Sequence, residues 1–370
     1  MRILVTADTV GGVWTYSREL VTGLLRLGAR VTLVSFGDLP TSGQTRWMES
    51  IHGRDFDYRP TVFKLEWMQD SAADMKASSG YLLGVIRETE PDLLHFNQFY
   101  YGALDCGLPR VVVAHSDVVS WWAAVHGQEP PKTSWSSWYR DVVARGLDGA
   151  TAVIAPSQWM LDQVQSQYLK PHRASVIYNG RTPALFNPHL TKEERIVTAG
   201  RLWDAAKNAG IFLRADMPAP VSIVGAGHSS KQPDKLFAAQ KNTAKVHLQS
   251  QQDEGQMAQI LARAAIYAAP SQYEPFGLAP VEAALSRCAL VTSDIPSFRE
   301  LWQDAAVFFR NNDPHDLRRA LEPLVHDPRL RHQYANLAYT HARRKFSAER
   351  MVSEYLELYR TLAPAAVAAA

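Results

Sequence analysis

Cysteine is nearly missing from this chain. Cys106 and Cys288 stand far apart in 370 residues, with no histidine at ligand spacing from either. Two isolated thiols exclude a disulfide framework and a zinc finger, and they fit a reducing, cytoplasmic setting. No apolar run reaches the length needed to cross a bilayer as a helix, so no integral membrane segment is expected, while peripheral contact with a membrane stays open. Met1 leads straight into Arg2-Ile-Leu-Val-Thr6, which reads as a strand and not as a signal segment. An excess of one charge is lacking too. The 39 Lys and Arg against 37 Asp and Glu leave +2, too little to hold nucleic acid. A few local cations would still suit an anionic small molecule. The dinucleotide fingerprint is also missing: Gly11-Gly12 follow the first apolar run without the full glycine spacing, and no acid ends the next strand near Ser35.

What is present is an ordinary globular composition, 46% hydrophobic and 21% charged, at a length that suits two domains. The first apolar run, the glycine pair, a helix with Tyr16, Leu20, Leu24 and Leu27 on one face, and Arg30-Val-Thr-Leu-Val-Ser35 make a βαβ unit. The alternation continues to Ala174-Ser-Val-Ile-Tyr178 and the turn at Asn179-Gly180, after which residues 183–188 read as a linker. It then restarts, with strands expected at 196–199, 221–225, 246–248, 266–269 and 289–292, and helices from about Lys207, Lys231, Glu254, Gly277 and Ser297. The fold class is α/β, two doubly wound domains at 1–180 and 181–346, with a C-terminal helix near 347–363 returning to the first. The alanine-rich end, 365–370, carries no assigned role.

Several polar groups stand where chemistry is expected, at the carboxyl ends of strands. Asp92-Leu-Leu-His95-Phe-Asn97 and Arg110-Val-Val-Val-Ala-His115-Ser-Asp117 each close an apolar strand. His95 reads equally as a ligand-side group and as a buried histidine satisfied by backbone. Asp55-Phe56-Asp57, an acid-x-acid triplet, reads mainly as the solvated face of a short strand. Trp121, Trp122, Trp135 and Trp138 crowd one stretch. They either cement a helix near 135–147 onto its sheet or offer flat indole faces to an acceptor.

In the second half, Gly200-Arg201-Leu-Trp-Asp-Ala-Ala-Lys207 puts a permanent cation and a lysine after a strand, a diphosphate clamp. Ser271-Gln-Tyr-Glu274-Pro-Phe-Gly277-Leu-Ala-Pro-Val-Glu282 reads as strand end, loop and helix, with Glu274 on the loop and Glu282 in the helix. Cations for a diphosphate and carboxylates for sugar and ribose hydroxyls, set between two α/β domains, describe a nucleotide-sugar site.

With these motifs the sequence resembles the family 4 glycosyltransferases of the GT-B fold, two Rossmann-like domains facing a central cleft. The carriers are Gly11-Gly12, Ala114-His115-Ser-Asp117, Val176-Ile-Tyr-Asn179-Gly180, Gly200-Arg201-Leu with Lys207, and Pro270-Ser through Glu274-Pro-Phe-Gly277-Leu to Glu282-Ala. The chain departs from the family at three places: Arg201 to Lys207 is one residue longer than the commonest spacing, Val246-His-Leu-Gln-Ser250 lacks the usual glycine, and Gly225-Ala-Gly227 lacks the usual acid.

The resemblance implies a retaining, metal-independent transfer from a nucleoside-diphosphate sugar to a small-molecule or glycan acceptor, with no further cofactor. By position, Arg201 and Lys207 would neutralise the departing diphosphate and Glu274 would hold donor-sugar hydroxyls. Phe276, Gly277 and Leu278 would offer backbone N–H groups, Glu282 would take the ribose, Gly12 would lie against the diphosphate and His115 would meet the donor sugar. Asp117, Trp121 and Trp138 are candidates for the acceptor. An epimerase or phosphorylase on the same fold, and a non-catalytic sugar- or nucleotide-binding module, are the alternatives.

Overall fold

The computed structural model describes residues 1–51, 53, 55–225 and 245–364. They form two compact units, Met1–Gly180 joined by the segment from Ala348 onward, and Arg181–Ser347.

The first unit carries seven strands, β1 (Arg2–Asp8), β2 (Arg30–Phe36), β3 (Phe56–Pro60), β4 (Leu93–Phe96), β5 (Arg110–Val113), β6 (Ala152–Ala155) and β7 (Ala174–Val176). Their order is β3-β2-β1-β4-β5-β6-β7, and every pairing is parallel. The central strands are apolar on both faces because helices cover both; Ile3, Leu4, Val5, Val111, Val112 and Val153 are buried. Between the strands run α1 (Gly12–Arg26), α2 (Ser42–Thr45), α3 (Ala72–Thr89), α4 (Val118–His126), α5 (Ser134–Gly149) and α6 (Gln158–Gln167).

The second unit repeats the plan with β8 (Glu193–Ala199), β9 (Val221–Val224), β10 (Val246–Gln249), β11 (Ala264–Ala269), β12 (Ala289–Ser293) and β13 (Val307–Phe309), in the order β10-β9-β8-β11-β12-β13. Its helices include α7 (Glu254–Arg263), α8 (Leu278–Leu285), α9 (Pro296–Trp302), α10 (Pro314–His326) and α11 (Pro328–Lys345). The last helix, α12 (Ala348–Leu362), belongs to the first unit. It buries Met351, Val352, Tyr355 and Tyr359 in the same core cluster as Trp14, Tyr16 and Leu20 of α1. Burial of such side chains stabilises by roughly 1.5–3 kcal/mol each. Gly23 makes the close approach possible, since a Cβ there would sit 2.5 Å from Val352 Cγ2.

Strand order reverses between β1 and β4 in one sheet and between β8 and β11 in the other. At such a point neighbouring loops diverge and leave a crevice at the carboxyl ends of the strands. Gly11-Gly12 and Asn97 follow the first pair of strands; Gly200-Arg201 and Glu274 follow the second.

Two expectations need correction. No α-helix starts at Lys207. Two 3₁₀ turns, Ala205–Lys207 and Ala209–Leu213, take its place, because Asp204 caps the first and Asn208 at φ +49° breaks the helical path between them. The sheet also gains β13, a three-residue edge strand. The helix expected from Lys231, and Gly227, lie outside the described residues.

Candidate active site

In the second unit, the loops after β8 and β11 are tied together by Gln272 N–H donating to the Ala206 carbonyl at 2.8 Å. That bond brings the candidate clamp and the candidate sugar carboxylate side by side. Lys207 Nζ donates to Glu274 Oε2 at 2.5 Å, with Lys207 21% and Glu274 13% exposed at the side chain. Ser271 Oγ reaches the same carboxylate oxygen at 3.3 Å. Arg201 pairs with Asp204 at 2.8 Å and lies over the Trp203 ring at 5.4 Å. Each clamp cation thus has a carboxylate beside it, and Asp204 is buried by its capping bond to Ala206 N–H.

Gly277 precedes α8 at φ +87°, a conformation that L side chains rarely adopt. A Cβ there would meet Glu274 Cγ at 3.1 Å, so glycine lets the loop fold Glu274 back toward the helix start. Phe276 is buried and Leu278 opens the helix, whose first turn has no side-chain cap. Backbone N–H groups at such a start favour anions.

Glu282, four residues into α8, has a partner that sequence reasoning did not single out. Arg181 Nε is 2.9 Å from Glu282 Oε1, and Arg181 Nη2 is 2.5 Å from Glu254 Oε1. Arg181 is 1% exposed and its guanidinium lies 5.2 Å from the Phe186 ring centre. A cation beside a linker ordinarily reads as solvated. Its burial depends on two acids distant in the chain, and no local pattern announces them.

In the first unit, Gly12 is exposed at the start of α1, after Gly11 at φ +81°. The preceding loop is held by Asp8 Oδ1 accepting from Val10 N–H, and by Gln44 Nε2 donating to the Thr9 carbonyl at 3.0 Å. His115, just past β5, is partly buried. Its Nε2 is 2.8 Å from Asn97 Oδ1, and its ring meets Tyr16 edge-on at 4.5 Å. Burial pushes its imidazolium down to about 3, so the ring is neutral at physiological pH.

His95 is fully buried. Tyr16 and Tyr359 hydroxyls hold its two nitrogens, at 3.2 Å on Nε2 and 2.6 Å on Nδ1. Side chains satisfy it, not the backbone group considered above, and burial pushes it down to about 3 as well.

Asp117, a candidate for acceptor positioning, caps α4, accepting from Val119 and Ser120 N–H at 2.8 and 3.0 Å, from Ser120 Oγ, and from Tyr168 Oη at 2.9 Å. At 3% exposure it holds the turn after His115.

The tryptophans divide. Trp135 and Trp138 pack on the core, with Trp135 stacked on Tyr139 and its Nε1 donating to the Met68 carbonyl at 3.1 Å. Trp121, Trp122 and His126 form a separate aromatic group on α4. Asp55 and Asp57 face outward against Arg30 and Arg59. Among the described residues, no group of three or more His, Cys, Asp or Glu is placed to hold a metal ion, and no helix is long and apolar enough to cross a membrane.

Comparison with known proteins agrees with this architecture. The family model Glycosyltransferase Family 4 matches residues 10–184, and Glycosyl transferases group 1 matches residues 177–341. An alpha-maltose-1-phosphate synthase of Mycolicibacterium smegmatis is 26% identical over 309 residues, 72% of this chain and 78% of the relative. An uncharacterized glycosyltransferase of Methanocaldococcus jannaschii is 23% identical over 386 residues, 95% and 94% of the two chains. Among solved structures, sucrose-phosphate synthase from Thermosynechococcus elongatus superposes at a TM-score of 0.83 with 18% identity, over 99% of this chain and 100% of that one. Anabaena HepE in complex with UDP and glucose superposes at 0.78 with 16% identity, over 98% and 100%. At these identities the structures speak for the fold alone. Two family models that together run from residue 10 to residue 341, on two doubly wound parallel sheets, place this chain among the family 4 glycosyltransferases of the GT-B fold.

Proposed function

We propose that this glycosyltransferase moves a sugar from a nucleoside-diphosphate sugar to an acceptor hydroxyl, with retention and without a metal ion. The observation that carries the reading is the gathering of Arg201, Lys207 and Glu274 at the strand-order reversal of the second sheet. Anabaena HepE, of the same fold, binds UDP and UDP-glucose, which supports a donor of this class.

In this reading the donor diphosphate takes up the charge of Arg201 and Lys207, and Lys207 then bridges phosphate and Glu274. As the bond from the anomeric carbon to the phosphate oxygen breaks, negative charge grows on the diphosphate. Fixed cations and the N–H groups of Phe276–Leu278 stabilise that charge more in the transition state than before it. The acceptor oxygen bonds the anomeric carbon on the same face, and its proton passes to the departing phosphate oxygen. Glu274 orients donor-sugar hydroxyls, and Glu282, held by Arg181, takes the ribose hydroxyls. Gly12 and His115 keep the roles that the family resemblance implies, toward the diphosphate and the donor sugar, and Trp121 is the preferred candidate for acceptor contact.

A thermal-shift panel of nucleoside diphosphates and their sugars tests the donor class, because a ligand that binds only the folded state raises its stability. A donor so found should support transfer to an acceptor panel, and Arg201→Ala with Lys207→Ala should abolish it with the fold intact. Turnover near normal in that double variant would remove those residues from the site. Interconversion of the donor without acceptor would replace transfer by epimerisation.

A further inference from the structure

We propose that Asn97 is a positioning residue that fixes the tautomer of His115, holding the proton on Nε2 and presenting Nδ1 as a hydrogen-bond acceptor. The argument starts with groups that have no choice of role. Asn97 Nδ2 lies 2.5 Å from the Thr6 carbonyl oxygen, which can only accept, and 3.1 Å from Ser17 Oγ. The amide nitrogen therefore faces Thr6, and Oδ1 is the atom turned to His115. Asn97 N–H donates in addition to Thr6 Oγ1 at 3.0 Å, and that hydroxyl donates to Gln98 Oε1 at 2.6 Å, so backbone and side chain of residue 97 are both anchored to β1.

Oδ1 can only accept, and it lies 2.8 Å from His115 Nε2. Nε2 must carry a proton. A neutral imidazole has one N–H, which leaves the lone pair on Nδ1. Among the described residues, the titratable groups facing the ring are Tyr16, edge-on at 4.5 Å, and His95 behind it on the neighbouring strand, and neither supplies a carboxylate to stabilise an imidazolium. Asn97 thus does for His115 what a carboxylate does in many catalytic sites, orienting the ring, but without adding charge. Where His115 meets the donor sugar, a consequence that rests on the proposed function, the sugar hydroxyl must donate to Nδ1.

The test is a long-range proton–nitrogen correlation spectrum of the full chain with ¹⁵N-labelled histidine, His115 being assigned by its loss in His115→Gln. The wild type should show a protonated Nε2 and an unprotonated Nδ1 at His115 from pH 8 down to pH 5. An Nδ1–H tautomer, or an imidazolium at pH 6, overturns the proposal, and the only variant that result needs is His115→Gln, used for assignment. Asn97→Ala should release the ring into both tautomers and lower kcat roughly 3- to 10-fold with the donor KM within about two-fold, the effect of one lost neutral hydrogen bond. A single unchanged Nε2–H tautomer in Asn97→Ala also overturns it. Failure of the transferase reading looks different: the spectrum would stand and no donor would turn over.

Discussion

Lys207 Nζ and Glu274 Oε2 are 2.5 Å apart, so the clamp lysine and the sugar-side carboxylate are one unit and not two independent ligands. Removal of Lys207 leaves a carboxylate 13% exposed without its cation, and removal of Glu274 frees the lysine to move. Lys207→Ala and Glu274→Gln should each lower kcat by roughly 10²-fold, since charge-assisted bonds are worth about 1.5–3 kcal/mol. The double variant should lose much less than the product of the two. A coupling of about 1–3 kcal/mol in a kinetic double-mutant cycle is the expected result. Additivity within about 0.5 kcal/mol would show that the residues act separately.

Arg181 makes a second prediction, on stability. It is 1% exposed between Glu282 and Glu254. Breaking a buried pair by removing one partner typically costs about 3–5 kcal/mol, because the other charge stays behind. Arg181→Met should approach that cost in urea unfolding, moderated by the 39% exposure of Glu254 and 16% of Glu282. Arg181→Met with Glu282→Leu should recover part of it, because the stranded charge goes too. The same double variant should bind nucleoside diphosphates more weakly, whereas Glu254→Gln should leave that binding near normal.

How far these relationships were legible in the chain depends on their range. The alternation of strand and helix is local and periodic, so the two doubly wound units could be read, as could loop positions for Gly12, Arg201, Glu274 and Gly277. The path after Arg201 could not, because a single left-handed residue, Asn208, breaks what otherwise reads as a helix. Arg181, and the partners of Asn97, were hidden for another reason. Each matters through partners distant in sequence, Glu254 and Glu282 for one, Thr6, Ser17 and His115 for the other. The capping role of Asp117 was not legible, because a strand-end acid and a helix cap look alike until Val119 and Ser120 are seen to donate to it.

Two histidines, one buried and one partly buried, make stability fall in acid. His95 and His115 are both pushed down to about 3 in the folded chain, against about 6.5 when unfolded. Between those values the unfolded chain binds more protons, so each histidine removes about 1.4 kcal/mol of stability per unit fall in pH. Glu66 opposes them. Burial raises it to about 7, although Phe99 and Tyr100 N–H groups donate to it, so between about 4.5 and 7 the folded chain holds the extra proton. The net slope from pH 6.5 to 4.5 is then about 1.4 kcal/mol per unit, two histidines against one glutamate, and about twice that below 4.5. Urea midpoints measured across this range should bend near pH 4.5. Glu66→Gln should remove the bend and steepen the upper part, whatever it does to absolute stability.

Gly225 gives the last prediction, which links packing to the site. It follows β9 directly, beside Gly200, where a Cβ would lie 1.8 Å from the Gly200 carbonyl oxygen and 3.2 Å from Leu202 Cγ. The obstacle is backbone, so no rotamer change relieves it. Gly225→Ala must push the Gly200–Arg201 segment away and carry Arg201 off its place beside Asp204. Overpacking of this kind costs about 1–3 kcal/mol, and kcat should fall at least roughly 10-fold if Arg201 serves the diphosphate. Gly84→Ala is the control: nothing lies within 4 Å of its Cβ, and alanine inside α3 should stabilise by about 0.5–1 kcal/mol with activity unchanged. A Gly225→Ala protein with normal kcat and lowered stability would separate the loop's packing role from the chemistry assigned to Arg201.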